Sequence, residues 1–168
     1  VKRDGERLAF AAPPLRRSGP VEPAVLAQVA RCLHIESSAI RAAHWVANGP
    51  NWVAVVLGTR EELLALKPDF VAMGELELGV LAPWPGGEAQ FEVRGFVPTH
   101  GVNEDPVTGS LNAGIAQWLI GAGLAPDAYV ASQGTALGRR GRVHVQREGD
   151  DIWIGGHSVV CVDGRLSL

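Results

Sequence analysis

The residues best suited to chemistry lie in one loop, between a predicted strand that ends at Phe96 and a predicted helix that begins near Ser110. Within this loop Asp105 can accept or release a proton, and Thr108 and Gly109 follow where the helix starts. The first amides of a helix lack intrahelical partners, and the helix dipole favours negative charge at that end. The loop therefore predicts a site that binds an anion, such as a carboxylate, beside a proton-transferring carboxyl group.

A purely structural interpretation of the same spacing is open as well. Asp105 and Thr108 belong to the residue types that cap helices, and Gly109 can serve only to let the chain turn. His100 and Gly101 open the loop, which makes them candidate substrate-binding residues. An isolated histidine is nevertheless more often a surface or core residue than a ligand.

Other well-known catalytic motifs are missing from the sequence. There is no Gly-x-Ser-x-Gly elbow, no Gly-x-Gly-x-x-Gly fingerprint and no Walker lysine, so hydrolase and nucleotide-binding functions have no support. Five isolated histidines and two distant cysteines have no metal-ligand spacing, so we expect no metal. We expect both thiols, Cys32 and Cys161, to be buried. The stretch 134–142 contains three glycines and three arginines. It could contact an anion, although such a stretch is more typical of a mobile connection.

The elements before the loop are short. The sequence predicts a strand over 8–12, a helix entered at Pro23 and a hairpin around Asn48-Gly49-Pro50. Thr59 and Glu62 have capping-box spacing, which predicts a second helix that Pro68 ends. A further short helix over 69–73 and strands over 76–82 and 91–96 lead into the loop.

The loop runs into the clearest helix of the chain, which Gly121 and Gly123 end. Its apolar residues fall on one predicted buried stripe: Leu111, Ile115, Trp118, Leu119 and Ala122. Antiparallel strands over 142–146, 152–155 and 158–168 complete the chain. Many strands with one long helix indicate the α+β class.

Composition excludes several kinds of partner. The 168 residues carry a net charge of −3 with the basic residues scattered, which argues against a nucleic-acid-binding face. No apolar run approaches the ~20 residues that a membrane helix needs, and no signal-peptide pattern is present. We therefore expect a cytoplasmic protein that binds neither membranes nor nucleic acids.

The string 101–110, Gly-Val-Asn-Glu-Asp-Pro-Val-Thr-Gly-Ser, resembles the second-half signature of the phenazine-biosynthesis (PhzF-like) isomerase family. Further similar segments lie on both sides of it: Leu66-Lys67-Pro68-Asp69, Arg94-Gly95-Phe96-Val97-Pro98, Ser132-Gln133-Gly134, Gly138-Arg139, Ile154-Gly155-Gly156 and Asp163-Gly164-Arg165-Leu166. The resemblance therefore extends over nearly the whole chain.

The resemblance implies a diaminopimelate-epimerase-like fold. Two similar α+β lobes, each a barrel-like and mostly antiparallel sheet around a central helix, enclose an active site between them. On this basis residues 1–75 are the C-terminal remnant of the first lobe, and residues 76–168 are the second lobe.

The resemblance also implies a cofactor-independent isomerase or epimerase that shifts a proton on a small carboxylate metabolite. Asp105 takes a catalytic role, and Thr108, Gly109 and Ser110 bind substrate. The first-lobe motifs of the family, an Asn-Pro-Ala string, a glutamate and a Cys-Gly-His-Ala-Thr string, do not occur in this sequence. We expect no cofactor, and a cysteine-dependent racemase is disfavoured because Thr108 precedes Gly109.

Without the family glutamate, activity of this chain alone is uncertain. The alternative is a non-catalytic small-molecule-binding or interaction module derived from the family. The expected partners are a small carboxylate-bearing substrate and either a second copy or a chain that supplies the missing N-terminal half.

Overall fold

A computed structural model describes residues 1–165 of the chain. They form an eleven-stranded sheet and four α-helices. The strands are β1 Lys2–Asp4, β2 Arg7–Ala11, β3 Arg17–Gly19, β4 Ala42–Ala47, β5 Val53–Val56, β6 Leu78–Pro83, β7 Phe91–Phe96, β8 Glu104–Asp105, β9 Ala128–Gln133, β10 Gly141–Glu148 and β11 Asp151–His157. The helices are α1 Pro23–Leu33, α2 Arg60–Ala65, α3 Phe70–Met73 and α4 Gly109–Gly121.

The strands follow the order β1-β2-β11-β10-β9-β7-β6-β5-β4-β3, and the short β8 pairs with β7. Neighbours are antiparallel except for two parallel pairs, β5 with β6 and β7 with β9. The predicted α+β class with a mostly antiparallel sheet is confirmed. The N-terminal β2 lies beside the C-terminal β11, so the two ends of the chain meet in the sheet.

Helix α4 lies in the concavity of this sheet. It contacts both β4 and β11, which have five strands between them in the sheet order, so the sheet must curve around the helix. The prediction of a single buried stripe is wrong, because residues on the other sides of α4 are buried too: Asn112, Ala113, Gly114, Ala116 and Ile120. Ala122, assigned to the stripe, follows the helix and is exposed.

Glycines allow α4 to approach the sheet. A Cβ atom on Gly114 would lie 2.5 Å from the carbonyl oxygen of Val46 in β4, closer than real side chains permit. Gly79 in β6 and Gly95 in β7 face each other across the strands and receive the side chain of Leu111. These contacts fix both the depth and the axial position of α4.

The other three helices cover the opposite face of the sheet. Alternate residues of β5 show the division, since Ala54 belongs to the core around α4 and Val53 and Val55 to the second core. The capping box predicted at Thr59 is confirmed, because the Thr59 side chain accepts from the Glu62 amide. Asp69 caps α3. In α1, Cys32 is fully buried, and this burial raises the pKa of its thiol to about 11.

The chain end departs from the prediction. The hairpin around Asn48 and the two strands predicted over 76–82 and 91–96, which lead into the loop, are confirmed. Residues 158–165, predicted as a strand, form no regular structure and are exposed, and residues 166–168 of that prediction lie outside the described part. Cys161, predicted to be buried, is exposed, because no neighbouring strand covers this segment.

The predicted boundary between residues 75 and 76 crosses a continuous structure. Strand β5 pairs directly with β6, and both cores contain residues from either side of the boundary. The assignment of 1–75 to a first lobe stays a prediction. Among residues 1–165, no helix is long and apolar enough to cross a membrane.

The Gly114 contact gives a first prediction. Gly114→Ala should destabilise the protein by about 1–3 kcal/mol, because the new methyl group must displace the Val46 backbone. Gly121→Ala, in the last turn of the same helix, is the control, since nothing lies within 4 Å of its Cβ position. Urea unfolding of both variants measures the difference. Equal stability of the two would contradict the close packing of α4 on β4.

His44 gives a second prediction. Its ring stacks on Trp118 with centroids 5.1 Å apart, and its Nε2 accepts the Gly19 amide at 3.0 Å. Burial lowers the pKa of His44 below its usual value of about 6.5. The stability that neutral His44 provides is therefore present above pH ~6.5 and lost as the pH falls, because protonation removes the acceptor.

Thermal unfolding between pH 7.5 and 5 (about one unit above and one and a half units below the usual histidine pKa) should show this loss in the wild type. His44→Gln, which keeps an acceptor but does not titrate, should flatten the pH dependence. The pH dependence of unfolding that remains in this variant comes from His144, because burial and the nearby Arg7 and His157 lower the pKa of His144 too. An unchanged pH dependence in His44→Gln would exclude His44 as the titrating group.

Candidate functional site

The site forms at the N-terminal end of α4. Strand β8 pairs with the end of β7 and holds Asp105 opposite Gly95. The hydroxyl of Thr108 donates to Oδ2 of Asp105 at 2.8 Å. This hydrogen bond fixes the half-buried carboxyl group just ahead of the helix.

A buried amide holds the whole turn in place. Gln133, fully buried at the end of β9, accepts the Thr108 amide at 3.1 Å and an Asn112 N–H at 2.8 Å with its Oε1. Its Nε2 donates to the carbonyl of Asp105 and to the hydroxyl of Thr108, each at 2.9 Å. Gln133 thus uses both polar atoms of its side-chain amide, Oε1 and Nε2, to position Asp105 relative to α4.

The capping interpretation of this loop is not what the structure shows. Thr108 stands at the N-cap position, but its side chain makes no capping hydrogen bond and contacts Asp105 instead. The amides of Gly109, Ser110 and Leu111 occupy the first positions of α4, which have no intrahelical partner. The positive end of the helix dipole therefore remains available beside Asp105.

Gly109 is favoured by packing rather than by a turn. Its φ is not positive, and a Cβ atom there would lie 3.3 Å from the ring of Phe10 in β2. Phe10 thus covers one side of the helix start.

Ser110 faces the hairpin between β4 and β5. Strand β4 contacts α4 at Gly114. Asn48 follows β4 directly and lies beside the first turn of α4, where its Nδ2 donates to the Ser110 carbonyl at 2.8 Å. The indole N–H of Trp52 donates to Oγ of Ser110 at 3.0 Å. Because Oγ accepts this bond, the hydroxyl proton of Ser110 is free to be donated to a bound molecule.

His100 and Gly101 lie apart from this group. His100 ends a short 3₁₀ turn and its Nε2 lies 3.0 Å from Oε1 of Glu77, while Gly101 is exposed with φ at +81°. Within residues 1–165 neither of them makes a hydrogen bond with Asp105, Thr108, Gly109 or Ser110. The other carboxylate oxygen of Glu77 accepts the Asn51 amide, so Glu77 connects His100 to the hairpin.

Two features of this region have no role predicted from the sequence: the Arg94–Glu104 ion pair and Gln133. Arg94 and Glu104 form a buried bidentate ion pair at 2.8 and 2.9 Å, and Arg94 also donates to the carbonyls that end α2, those of Leu63 and Leu66. An arginine between Val93 and Gly95-Phe96 in the middle of a strand was the available signal. Gln133 had a similar one, a polar residue that ends a buried strand.

The arrangement can bind a carboxylate and move a proton. The helix start and the Ser110 hydroxyl provide donors for an anion, and Asp105 is a carboxyl group held next to them. No group of three or more potential metal ligands occurs in the part of the chain that the structure describes.

The fold is similar to that of a phenazine biosynthesis protein of the PhzF family from Enterococcus faecalis. The TM-score is 0.72 with 26% sequence identity, and the match covers 100% of this chain and 60% of that one. An uncharacterized isomerase of Pseudomonas aeruginosa is 35% identical over 68% of this chain and 43% of its own length. The chain therefore spans less than half of that relative.

A second curated relative is matched over nearly its whole length. An uncharacterized isomerase of Schizosaccharomyces pombe is 27% identical over 92% of this chain and 94% of its own length. Residues 3–164, which include every residue of the site at α4, match the family model described as phenazine biosynthesis-like protein, PhzC-PhzF. The chain belongs to this PhzC/PhzF family.

Proposed function

We propose that this chain provides the Asp105 side of a cofactor-independent isomerase or epimerase that shifts a proton on a small carboxylate metabolite. The observation that carries the proposal is the Asp105 carboxyl group, fixed by Thr108 and Gln133 beside the uncapped start of α4. Family membership supports the reaction class, since the curated relatives are named as isomerases. In this proposal the second lobe provides α4 and strands β6 to β11 of the curved sheet.

The helix start binds the substrate carboxylate in this mechanism. When a proton leaves the neighbouring carbon, negative charge spreads toward the carboxylate, and the amides of Gly109 and Ser110 stabilise that charge. The Ser110 hydroxyl donates a hydrogen bond to a substrate oxygen. Asp105 takes up the proton as a carboxylate and returns it as a carboxylic acid.

A second acid or base is needed where the proton must enter at another face of the substrate. Glu104 cannot serve, because Arg94 already holds both of its carboxylate oxygens in a buried pair. We propose that the missing group comes from residues outside this chain or from a second copy. The ion pair between Glu104 and Arg94 also favours the alternative function, a binding module without catalysis, because it leaves Asp105 without a neighbouring acid or base from β8.

Asp105→Asn tests the catalytic role. Deuterium incorporation into a panel of small unsaturated, amino and hydroxy carboxylic acids in D₂O, followed by NMR, should fall by about 10²–10⁴-fold in this variant. The amide keeps the Thr108 contact but cannot take up a proton. Asp150→Asn, in an exposed turn, is the matched control and should exchange like the wild type.

The intact masses of all species in the assayed sample show whether a second polypeptide or only this chain is present. Exchange by the wild type that Asp105→Asn retains would remove Asp105 from the mechanism. Absence of exchange by the wild type, with carboxylates still bound at α4, would select the binding module.

Gln133→Met tests how Asp105 is positioned. The variant keeps the side-chain volume but leaves buried polar groups of Thr108, Asn112 and Asp105 without partners, at about 1–3 kcal/mol for each such group. Urea unfolding should show a loss of this order. Gln146→Met on the exposed side of β10 is the control and should change little. Similar stability of the two variants would contradict the role of Gln133.

A further inference from the structure

Strands β10 and β11 separate at one end of their pairing. Their register ends at His144 and Gly155, whereas β10 stays paired with β9 back to Gly141 and β11 stays paired with β2 up to His157. The two strands therefore diverge, and no ladder joins residues 141–143 to residues 156–157. A cavity of about 840 Å³ lies at this divergence, a size typical of small-molecule sites.

The inner wall of the cavity is apolar. Leu8, Phe10, Val107, Val143 and Ile154 line it, and Gly109 at the start of α4 also contributes. Leu8 and Val107 are 43% and 45% exposed, which is unusual for large apolar side chains that face one cavity. An apolar ring or chain would bury these surfaces.

The outer wall carries an excess of positive charge. Arg140 and Arg142 both donate to the carboxylate of Glu88, so two guanidinium groups share one acid. The two arginines lower the pKa of Glu88. Burial lowers the pKa of His144 on the same wall, so the positive charge at neutral pH comes from the arginines. Two of the three arginines in the stretch 134–142 thus line the cavity. The sequence allowed anion contact as one role for this stretch.

We propose that the cavity between the diverging strands β10 and β11 binds an organic anion with an apolar body. The apolar body lies against Phe10 and Val107, and the negative group lies toward Arg140. This site goes beyond the proposed function, because binding requires no proton transfer and neither Asp105 nor Ser110 lines the cavity; of the residues at the start of α4 it shares only Gly109.

The test uses two probes with a similar apolar body and different charge. Anilinonaphthalene sulfonate is an anion, and N-phenylnaphthylamine is its neutral counterpart; the fluorescence of each reports binding to the folded protein. We expect saturable binding of both at one site, with the anion bound more tightly. Equal affinity for the two probes would overturn the charge assignment.

Gly156→Leu tests the location. Residue 156 shares a face with Ile154 in β11, so a side chain there points into the cavity, and its Cβ meets only the Arg142 carbonyl at an ordinary 3.4 Å. The variant should weaken both probes by about tenfold or more. Gly121→Leu, at an open position on α4, should leave both unchanged. A near-ultraviolet circular dichroism spectrum like that of the wild type shows that each variant is folded.

Arg140→Gln tests the charge at low salt. It should weaken the anion by about threefold and leave the neutral probe unaffected, since the exposed guanidinium is partly screened. Arg139→Gln, the neighbouring residue that does not line the cavity, is the control. Undiminished binding of both probes to folded Gly156→Leu would overturn the proposal.

Discussion

The enclosure of α4 by the curved sheet is the constraint on which the rest of the structure depends. A polar side chain on a helix surrounded on nearly all sides is costly unless it has a hydrogen-bond partner, because it lies away from water. Asn112 and Gln133 meet this condition through each other and through the backbone of Thr108. The same contacts that allow α4 to be buried therefore also fix the loop that holds Asp105.

Two adjacent acids in this loop have different roles. Successive residues of a strand point to opposite sides, so Glu104 and Asp105 in β8 cannot act together as a pair. Arg94 binds Glu104 and ties it to the end of α2, which anchors β8. Asp105 on the other side contacts Thr108 and remains half-buried. The ion pair thus supports the site without belonging to its chemistry.

Local patterns in the sequence were sufficient to predict most helices and strands. They were also sufficient to place four residues around a helix start: Asp105, Thr108, Gly109 and Ser110. Capping spacing and hairpin residues act over a few positions, so they can be recognised without knowing the fold. The full burial of α4, the role of Gln133 and the separation of His100 depend on contacts between distant segments. The strand predicted over 158–168 shows the same limit, since valines favour a strand only where a neighbour is present to pair with it.

The pairing of β2 with β11 has a consequence for how the protein is made. Lys2 and Glu148 bond across 146 residues of sequence, so the sheet cannot be completed until β10 and β11 have been synthesised. Contacts of such long range slow folding and leave strand edges open in the meantime. Phe10 is carried by β2, which pairs with β11, and it lies against Gly109. The cover over the helix start therefore depends on a strand that is synthesised well after the helix itself.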